Sequence, residues 1–441
     1  MVSAALTVLA AAMALSYAFY RHFGAPGNQY DLRIYFNAVS YWRSGNSLYE
    51  YAQFDPINGS LGFTYPPVAA ILMSPMTALG WHSVVVLSNL GIFLATAGLV
   101  LLALRERLRL RGLPLALATG LGCAVAFCLQ PISQTAAYGQ VNTFLALLVA
   151  FDVLVLVPRK SRWAGIGIGL ATAIKLTPAI FFLYLVLNRQ WRALRVSLLT
   201  AAVTTIVAAI WAPAITWEYF TSLLWDPSRV GIPDNTANQS INGTLARMSA
   251  GAPPDKALWA VCSLVALLVG ARRIWQALAV GDNLVAMTIC GFLGVLISPV
   301  SWLHHAVWIV PAMVVLLWRV VSTFPARIRA SLSGRRTRVG KWAPQERRTM
   351  RNWLASAALT VTGLLVFVPN TRDMFGLPDA HYANLGIGSV LAGSIQAIWM
   401  LAAVVFLPVG KARRLPGPAA WAVPDARVNL EWNSPRQAPR N

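Results

Sequence analysis

The sequence predicts an all-α integral membrane protein with about ten to twelve transmembrane segments. Hydrophobic residues make up 57% of the 441 residues, only 12% are charged, and the mean hydropathy is +0.58. Globular proteins carry roughly 25% charged residues, so an ordinary soluble fold is excluded. The apolar residues also fall in repeated runs of about 20, the length that a helix needs to cross a bilayer.

The net charge of +21 follows from 36 Lys and Arg against 15 Asp and Glu. Most of the basic residues lie in short loops between apolar runs, as on the cytoplasmic side of membrane proteins. The basic segment 319–351 is expected to meet anionic lipid headgroups. Proteins that bind single-stranded nucleic acid interleave aromatic and basic residues, and no stretch of this sequence does so. Nucleic-acid partners are therefore not expected.

The apolar runs are interpreted as spans, beginning with an uncleaved N-terminal helix. They cover residues 2–20, 84–104, 114–133, 140–157, 193–213, 256–271, 276–298, 303–320, 353–369 and 389–409. With the basic loops in the cytoplasm, the first span leads outward and the segment after it is external. Residues 1–410 then form one transmembrane domain, and the tail 411–441 is predicted to be disordered and cytoplasmic.

Two apolar stretches do not fit a simple crossing. A full crossing by the proline-rich residues 66–80 would place the basic residues 105–111 outside, so this stretch is predicted to be half-inserted or to lie on the surface. Residues 164–187 have basic flanks and contain Lys175 shortly before Pro178. We expect two half-helices that meet at Lys175, because broken backbone at membrane depth is tolerated where it lines a cavity.

The segment 30–67 is polar and aromatic, unlike the sequence around it. Apolar residues recur at helical spacing along residues 31–45, which predicts a helix lying in the membrane interface. Asp31 is placed to cap the start of this helix, and Gly45 is placed to end it. Asp31 is then either a cap alone or also a chemical group held at the membrane surface.

Polar clusters far apart in sequence fall on one predicted face, the external one. Besides the segment 30–67, they read Tyr-Gly-Gln-Val-Asn at 138–142, Asn-Gln-Ser-Ile-Asn-Gly at 238–243 and Ser-Pro-Val-Ser-Trp-Leu-His-His at 298–305. A transporter or flippase of lipid-linked sugars would place polar residues along a path through the membrane. The gathering of these clusters on one face favours an enzyme with an external pocket.

Six short motifs occur in a shared order: an Asp in the first external loop, Tyr-Pro-Pro at 65–67, Gly-Gln-x-Asn at 139–142, Lys-Leu-Thr-Pro at 175–178, Asn-Gln-Ser at 238–240 and Ser-Trp-x-His-His at 301–305. This order resembles glycosyltransferase family 87, a family of integral-membrane mannosyltransferases of the GT-C superfamily found in mycobacteria and their relatives. The resemblance covers roughly residues 1–410. The long basic segment 319–351 departs from the family's pattern and leaves the motifs untouched.

The resemblance implies a GT-C helical bundle in the bacterial plasma membrane. It implies a polyprenyl-phosphate-mannose donor used on the external face, and a glycolipid acceptor such as phosphatidylinositol mannoside, lipomannan or lipoarabinomannan. The product is expected to be α-linked. An α-1,2 linkage is expected because the best-known members of the family form it. Transfer of another sugar, such as arabinofuranose or glucose, stays open, because no residue pattern reads the sugar's hydroxyl groups.

The resemblance also maps the family's catalytic carboxylate onto Asp31 and its histidine onto His304 or His305. An α product from a β-linked mannosyl phosphate requires one inverting displacement, in which Asp31 takes the proton of the acceptor hydroxyl. The lipid phosphate leaves as an anion and needs positive charge nearby rather than a strong acid. Either histidine is expected to orient the acceptor, assist Asp31 or contact the phosphate. Asp55 is the next choice as the base.

Lys175 is the first candidate to contact the donor phosphate. An ionisable residue within an apolar run is costly and usually functional; the structural alternative is a pairing with Asp152. Arg33 is the second candidate for the phosphate, unless it only lies against lipid headgroups.

The remaining candidates have side chains that hydrogen-bond or stack on sugars. These substrate-binding candidates are Tyr30, Tyr65, Gln140, Asn142, Asn238, Gln239, Asn242 and Trp302. The amides are equally suited to cap helices, and the aromatic residues to form the interfacial belt. No cofactor or metal is expected, since adjacent histidines point in different directions and no carboxylate spacing completes a ligand set.

Overall fold

The structure is a computed structural model that describes residues 28–249, 252–324, 344–382 and 385–410, together with Thr7, Ala11 and Ala14. The predicted first span (residues 2–20) lies outside the described residues apart from those three positions. The predicted tail (residues 411–441) lies entirely outside them.

Helices account for most of the described chain. In the first half they are α1 (Tyr30–Arg43), α2 (Pro67–Met73), α3 (Trp81–Arg107), α4 (Gly112–Phe127), α5 (Gln130–Tyr138), α6 (Asn142–Phe151), α7 (Ile166–Ile174), α8 (Phe181–Leu187), α9 (Trp191–Trp211) and α10 (Pro213–Thr221). In the second half they are α11 (Ile241–Met248), α12 (Lys256–Ala279), α13 (Asn283–Ile297), α14 (Ile309–Ser322), α15 (Pro344–Phe367), α16 (Thr371–Met374), α17 (Ile387–Gly393) and α18 (Ile395–Phe406).

Short non-α turns join several of these helices. The 3-10 turns are Leu48–Glu50, Ser74–Ala78, Thr177–Ile180, Leu223–Trp225, Pro227–Val230 and Leu303–His305, and a π turn covers Asp152–Leu156.

Several helices have the length and apolar composition of membrane spans. Within the described ranges, α3, α9, α12 and α15 pass this test alone. The bent pairs α4 with α5 and α17 with α18 pass it together, with bends of 77° and 64°. Shorter apolar helices, including α6, α13 and α14, pack beside them. The protein is therefore a multi-pass membrane protein; the number of about ten to twelve spans stays a prediction.

The outer surface of the bundle is apolar, as a lipid-facing surface requires. On α9, Ile206 is 57% exposed and Ile210 is 78% exposed, and on α12 Leu264 and Leu268 are exposed in the same way. Contiguous apolar surface of this kind is rare on soluble proteins. By contrast, every residue of α13 from Leu284 to Leu296 is buried, so α13 lies at the centre of the bundle.

The predicted helix at residues 31–45 is confirmed as α1, and Gly45 follows its end with a φ of +98°. Glycine tolerates this left-handed conformation, which closes a helix, better than other residues. The apolar face of α1 packs against the aromatic segment that follows it and against α10. Packing against protein on that side gives the start of α1 a defined position.

A β-hairpin is an addition to the predicted all-α architecture. Its strands, β1 (Ala52–Asp55) and β2 (Gly59–Gly62), pair antiparallel. One carboxylate oxygen of Asp55 accepts the backbone N–H groups of Ile57 and Asn58 at 3.0 and 2.7 Å and holds the turn. Strands of four residues are too short to show a clear alternating pattern in the sequence.

The predicted break at Lys175 is confirmed. The helix α7 ends at Ile174, Lys175 has extended backbone with φ −150° and ψ 131°, and a 3-10 turn leads into α8. Residues 66–80 likewise form only α2 and a 3-10 turn, too short for a full crossing.

Two predicted boundaries are wrong. The break between residues 271 and 276 is absent, because α12 continues through Arg272 and Arg273. Arg273 donates hydrogen bonds to Gln276 and to the carbonyl of Leu407, which lets a helical arginine remain among apolar neighbours. The predicted span 303–320 starts later than expected, since residues 303–305 form a 3-10 turn and α14 begins at Ile309.

Candidate active site

A first cavity of about 250 Å³ lies where the start of α1, the break between α7 and α8, and the turn before α14 meet. Its lining includes two carboxylates, two cations and a group of neutral polar or aromatic side chains. The lining residues include Asp31, Tyr65, Gln140, Lys175, Asp226, Arg229, Trp302 and His305.

Asp31 lies in the first turn of α1, where one carboxylate oxygen accepts a hydrogen bond from Gln140 Nε2 at 2.6 Å. The prediction that Asp31 caps the helix is wrong: the N-cap is Gln29, and no side chain caps α1. Burial raises the pKa of the Asp31 carboxyl to about 6, although the hydrogen bond from Gln140 and the charge of Lys175 lower it. A carboxylate with that pKa is a proton acceptor at neutral pH.

A chain of hydrogen bonds connects Asp31 to Lys175. Gln140 Oε1 accepts from the Tyr65 hydroxyl at 2.8 Å, and that hydroxyl oxygen accepts from Lys175 Nζ at 3.3 Å. Burial raises the pKa of Tyr65, so the hydroxyl keeps the proton that it donates. The positions of the base and of the cation are thereby coupled across α1, α5 and α7.

Lys175 is held by neutral groups. Its Nζ donates to Asn142 Oδ1 and to His305 Nε2, both at 2.9 Å, as well as to Tyr65. The proposed pairing with Asp152 is wrong, because Asp152 accepts the backbone N–H groups of Gly165 and Ile168. Among the residues that the structure describes, no carboxylate lies within ion-pair distance of Lys175.

Arg229 is a functional candidate that sequence reasoning missed. It lines the first cavity, donates to the carbonyl of Phe63 at 3.2 Å and lies over the ring of Tyr49. The sequence feature that could have identified Arg229 is its position in a predicted external loop, where few basic residues are expected. Arg33, in contrast, does not line this cavity: it is exposed and lies over the ring of Trp81, 5.0 Å from the centroid.

The adjacent histidines face different cavities. His305 lines the first cavity beside Lys175, and because an ammonium group only donates, His305 Nε2 is the acceptor. His304 is 6% exposed, and its ring lies nearly perpendicular to that of His305, at 83°. His304 lines a second cavity, and its Nε2 has no hydrogen-bond partner in the described part of the chain.

The second cavity has a volume of about 740 Å³ and lies on the other side of Asp31. Asp31, Leu61 and Trp302 line both cavities. Tyr30 also lines the second cavity, with its hydroxyl donating to the carbonyl of Phe54 at 2.9 Å. The carboxylate of Asp31 is thus accessible from two spaces that differ in their lining.

Asn142 lies behind Lys175, and its Nδ2 donates to the carbonyl of His304 at 3.1 Å. It links the break at Lys175 to the turn that carries the histidines. This amide therefore orients the cavity wall.

Three other predicted amides are occupied by backbone groups. Asn238 accepts the N–H of Ser301 and donates to a carbonyl, and Asn242 donates to the carbonyl of Pro299. Neither lines the two cavities. Gln239 reaches the edge of the second cavity, but its amide makes three hydrogen bonds to backbone groups. These contacts fix the loop that positions Trp302.

These observations describe a polytopic helical membrane protein with a carboxylate between two polar cavities. The sequence model of glycosyltransferase family 87 matches residues 63–299. A polyprenol-phosphate-mannose-dependent alpha-(1-2)-phosphatidylinositol mannoside mannosyltransferase of Mycobacterium tuberculosis is 34% identical over 413 residues, 85% of this chain and 95% of that protein. The chain belongs to glycosyltransferase family 87, so the predicted GT-C fold and the predicted enzyme class are confirmed, and the transporter alternative is wrong.

Two further curated relatives agree with this assignment. The protein of the same description from Mycolicibacterium smegmatis is 30% identical and covers 88% of this chain and 85% of its own length. A phosphatidylinositol pentamannoside mannosyltransferase of the same species is 32% identical over 80% of each chain. The solved structure of ArnT from Cupriavidus metallidurans, bound to undecaprenyl phosphate, matches 91% of this chain and 76% of its own at 13% identity, with a TM-score of 0.38.

Proposed function

We propose that the protein transfers mannose from polyprenyl-phosphate-mannose to a mannosylated phosphatidylinositol or a related lipoglycan acceptor, forming an α-1,2 linkage with inversion. The named relatives use polyprenol-phosphate-mannose and phosphatidylinositol mannosides, which supports this donor and acceptor. The observation that carries the mechanism is the position of Asp31 between a cavity with two cations and a second, larger cavity.

The donor phosphate occupies the first cavity in this proposal. Lys175 and Arg229 supply positive charge there, and Lys175 is held by the neutral groups of Tyr65, Asn142 and His305. Their ammonium and guanidinium groups stabilise the negative charge that develops on the leaving phosphate. His305 keeps Lys175 in position through the 2.9 Å contact to its Nε2.

Asp31 acts as the general base. The acceptor hydroxyl oxygen forms a bond to the anomeric carbon of the donor mannose, while the bond from that carbon to the phosphate oxygen breaks. The hydroxyl proton passes to the Asp31 carboxylate, and the electron pair of the broken bond leaves with the lipid phosphate. Gln140 holds the carboxylate for this step through its 2.6 Å hydrogen bond.

The reaction takes place on the external side of the plasma membrane in this proposal. The basic residues between the apolar runs mark the opposite side as cytoplasmic. Asp31, Arg229 and the histidines all lie in segments between the long apolar helices, away from those basic loops.

The test is in vitro transfer by the purified protein with labelled polyprenyl-phosphate-mannose and a mannosylated phosphatidylinositol. Asp31→Asn keeps the size of the side chain and an oxygen that accepts from Gln140, but it removes the base. We expect the wild type to transfer mannose and Asp31→Asn to lose roughly 10²–10⁴-fold in rate. Digestion with an α-1,2-specific mannosidase checks the linkage.

The matched control is Arg33→Gln, a change on the same helix at a side chain that lines neither cavity. It should retain wild-type transfer. Unchanged transfer by a folded Asp31→Asn protein would move the base to another carboxylate, with Asp55 the first to test. No transfer by the wild type with this donor would refute the proposed donor and require other lipid-linked sugars.

A further inference from the structure

The second cavity contains polar groups that the protein itself leaves without partners. Gln134 and Tyr138 lie one helical turn apart on α5 and line this cavity, as does His304. Neither the amide of Gln134 nor the hydroxyl of Tyr138 has a hydrogen-bond partner among the described residues, and the buried His304 Nε2 has none either. The ring of Tyr138 lies 5.8 Å from that of His304.

An unpartnered polar group at a cavity wall is costly unless water or a ligand satisfies it. The first cavity is different, because Gln140, Tyr65 and Lys175 already bond to one another. The second cavity therefore presents an amide, a hydroxyl and an imidazole nitrogen to whatever enters. Together they supply both donors and acceptors, which is the pattern that a neutral polyhydroxylated sugar requires.

The charges around the second cavity also separate its ligand from the lipid phosphate. Its lining carries Asp55, Asp373 and Asp379 in addition to Asp31, against the single cation Arg372. Arg372 is ion-paired with Asp373 and Asp379, so it offers little free positive charge. A phosphate group is repelled here and attracted to the first cavity, whereas an uncharged glycan is not.

The size of the second cavity fits more than one sugar ring. Its volume of about 740 Å³ lies in the upper part of the range of roughly 300–1,000 Å³ that is usual for ligand pockets. Asp31 lines its boundary with the first cavity, so a sugar hydroxyl placed there can reach the base.

We propose that the second cavity binds the glycan headgroup of the acceptor, and that Gln134, Tyr138 and His304 hydrogen-bond its hydroxyl groups. This inference rests on the proposed transfer reaction. It assigns the two sugars of that reaction to opposite sides of Asp31, with the donor sugar entering from the first cavity and the acceptor sugar from the second.

The experiment compares Gln134→Leu and Tyr138→Phe with wild type in steady-state transfer, varying the acceptor at saturating donor and then the donor at saturating acceptor. Both changes remove one polar group without breaking a hydrogen bond within the described chain. Each should raise the acceptor KM about three- to tenfold, the effect of one hydrogen bond, with donor KM unchanged. The control Gln345→Leu makes the same substitution at an exposed site that lines neither cavity, and it should change neither constant.

A rise in donor KM alone would overturn the inference, because the second cavity would then hold the donor sugar. Unchanged constants in both variants would also overturn it and leave the transfer reaction standing. A binding measurement distinguishes the proposed glycan site from the proposed transfer reaction. The protein in nanodiscs is titrated with mannosylated phosphatidylinositol and, separately, with unmannosylated phosphatidylinositol. Mannose-dependent binding that weakens in both variants, from a wild type that transfers no mannose, would refute the proposed reaction and support the glycan site.

Discussion

Two cations within the helical bundle, Arg107 and Lys175, differ in the groups that hold them. Arg107, at the end of α3, makes two hydrogen bonds to the carboxylate of Asp282, at 2.6 and 2.8 Å. Asp282 also accepts the N–H of Val285 and so caps the central helix α13. Lys175 instead donates its hydrogen bonds to neutral groups of Tyr65, Asn142 and His305 in the part of the chain that the structure describes.

The difference shows which of the two positive charges is available to a ligand. A buried cation with a bidentate carboxylate has its charge compensated, and breaking such a pair is strongly destabilising. A cation held by neutral groups keeps its positive field, at a cost in desolvation that the fold must bear. Arg107 therefore supports the bundle, and Lys175 is poised for an anionic ligand.

Removing the charge of Arg107 tests whether its ion pair with Asp282 stabilises the fold. Arg107→Met leaves Asp282 buried and uncompensated, so it should destabilise the folded protein by about 3–5 kcal/mol. Thermal unfolding in detergent measures this loss, and the specific activity of the fraction that remains folded should be unchanged. Strongly reduced turnover in the folded fraction would show that Arg107 contributes to the reaction as well as to stability.

Removing the charge of Lys175 should have the opposite profile. In Lys175→Met the leaving phosphate loses one stabilising cation, and kcat should fall roughly 10²–10³-fold. The unfolding temperature should fall less than in Arg107→Met, because neutral acceptors rather than a buried carboxylate lose their partner. Loss of stability comparable to that of Arg107→Met would assign Lys175 a structural role instead.

Arg229 should show a smaller effect than Lys175. It donates one hydrogen bond to Phe63 and has room to reach an anion in the first cavity. Arg229→Gln should raise the donor KM about tenfold, the range for one hydrogen bond to a charged group, without changing the acceptor KM. Steady-state kinetics with each substrate varied in turn decides this, and an effect confined to the acceptor would exchange the roles of the two cavities.

The pH dependence of transfer tests whether Lys175, unlike Arg107, influences the ionisation of Asp31. Protonated Asp31 cannot accept the hydroxyl proton, and its pKa is raised to about 6, so kcat/KM should fall about tenfold between pH 7 and pH 5. Lys175 lowers that pKa, so Lys175→Met should shift the acid limb to higher pH, whereas Arg107→Met should leave it in place. Identical acid limbs in wild type and Lys175→Met would exclude coupling between the base and the cation.

The features predicted correctly depend on local sequence. Composition and periodicity within one segment predict the long apolar helices α3 and α9 and the helix α1. Helix-ending glycine and proline residues predict the end of α1 at Gly45 and the break at Lys175. Predictions from local sequence were wrong where a contact with a distant residue gives a side chain a different role. Arg273 does not end α12, since it reaches the carbonyl of Leu407 across the bundle. Asp31 does not cap α1, since Gln140 holds its carboxylate.

Local sequence patterns were enough to predict a multi-pass helical membrane protein and to select Asp31, Lys175 and the paired histidines as functional candidates. The packing of the helices, in contrast, brings His305 to Lys175, places His304 in the wall of the second cavity, and adds Arg229 and Gln134 to the two cavities. The physical reason is that helical periodicity is a property of neighbours in sequence. The partners of Lys175 lie 33, 110 and 130 residues away, so their contacts exist only after the helices have packed.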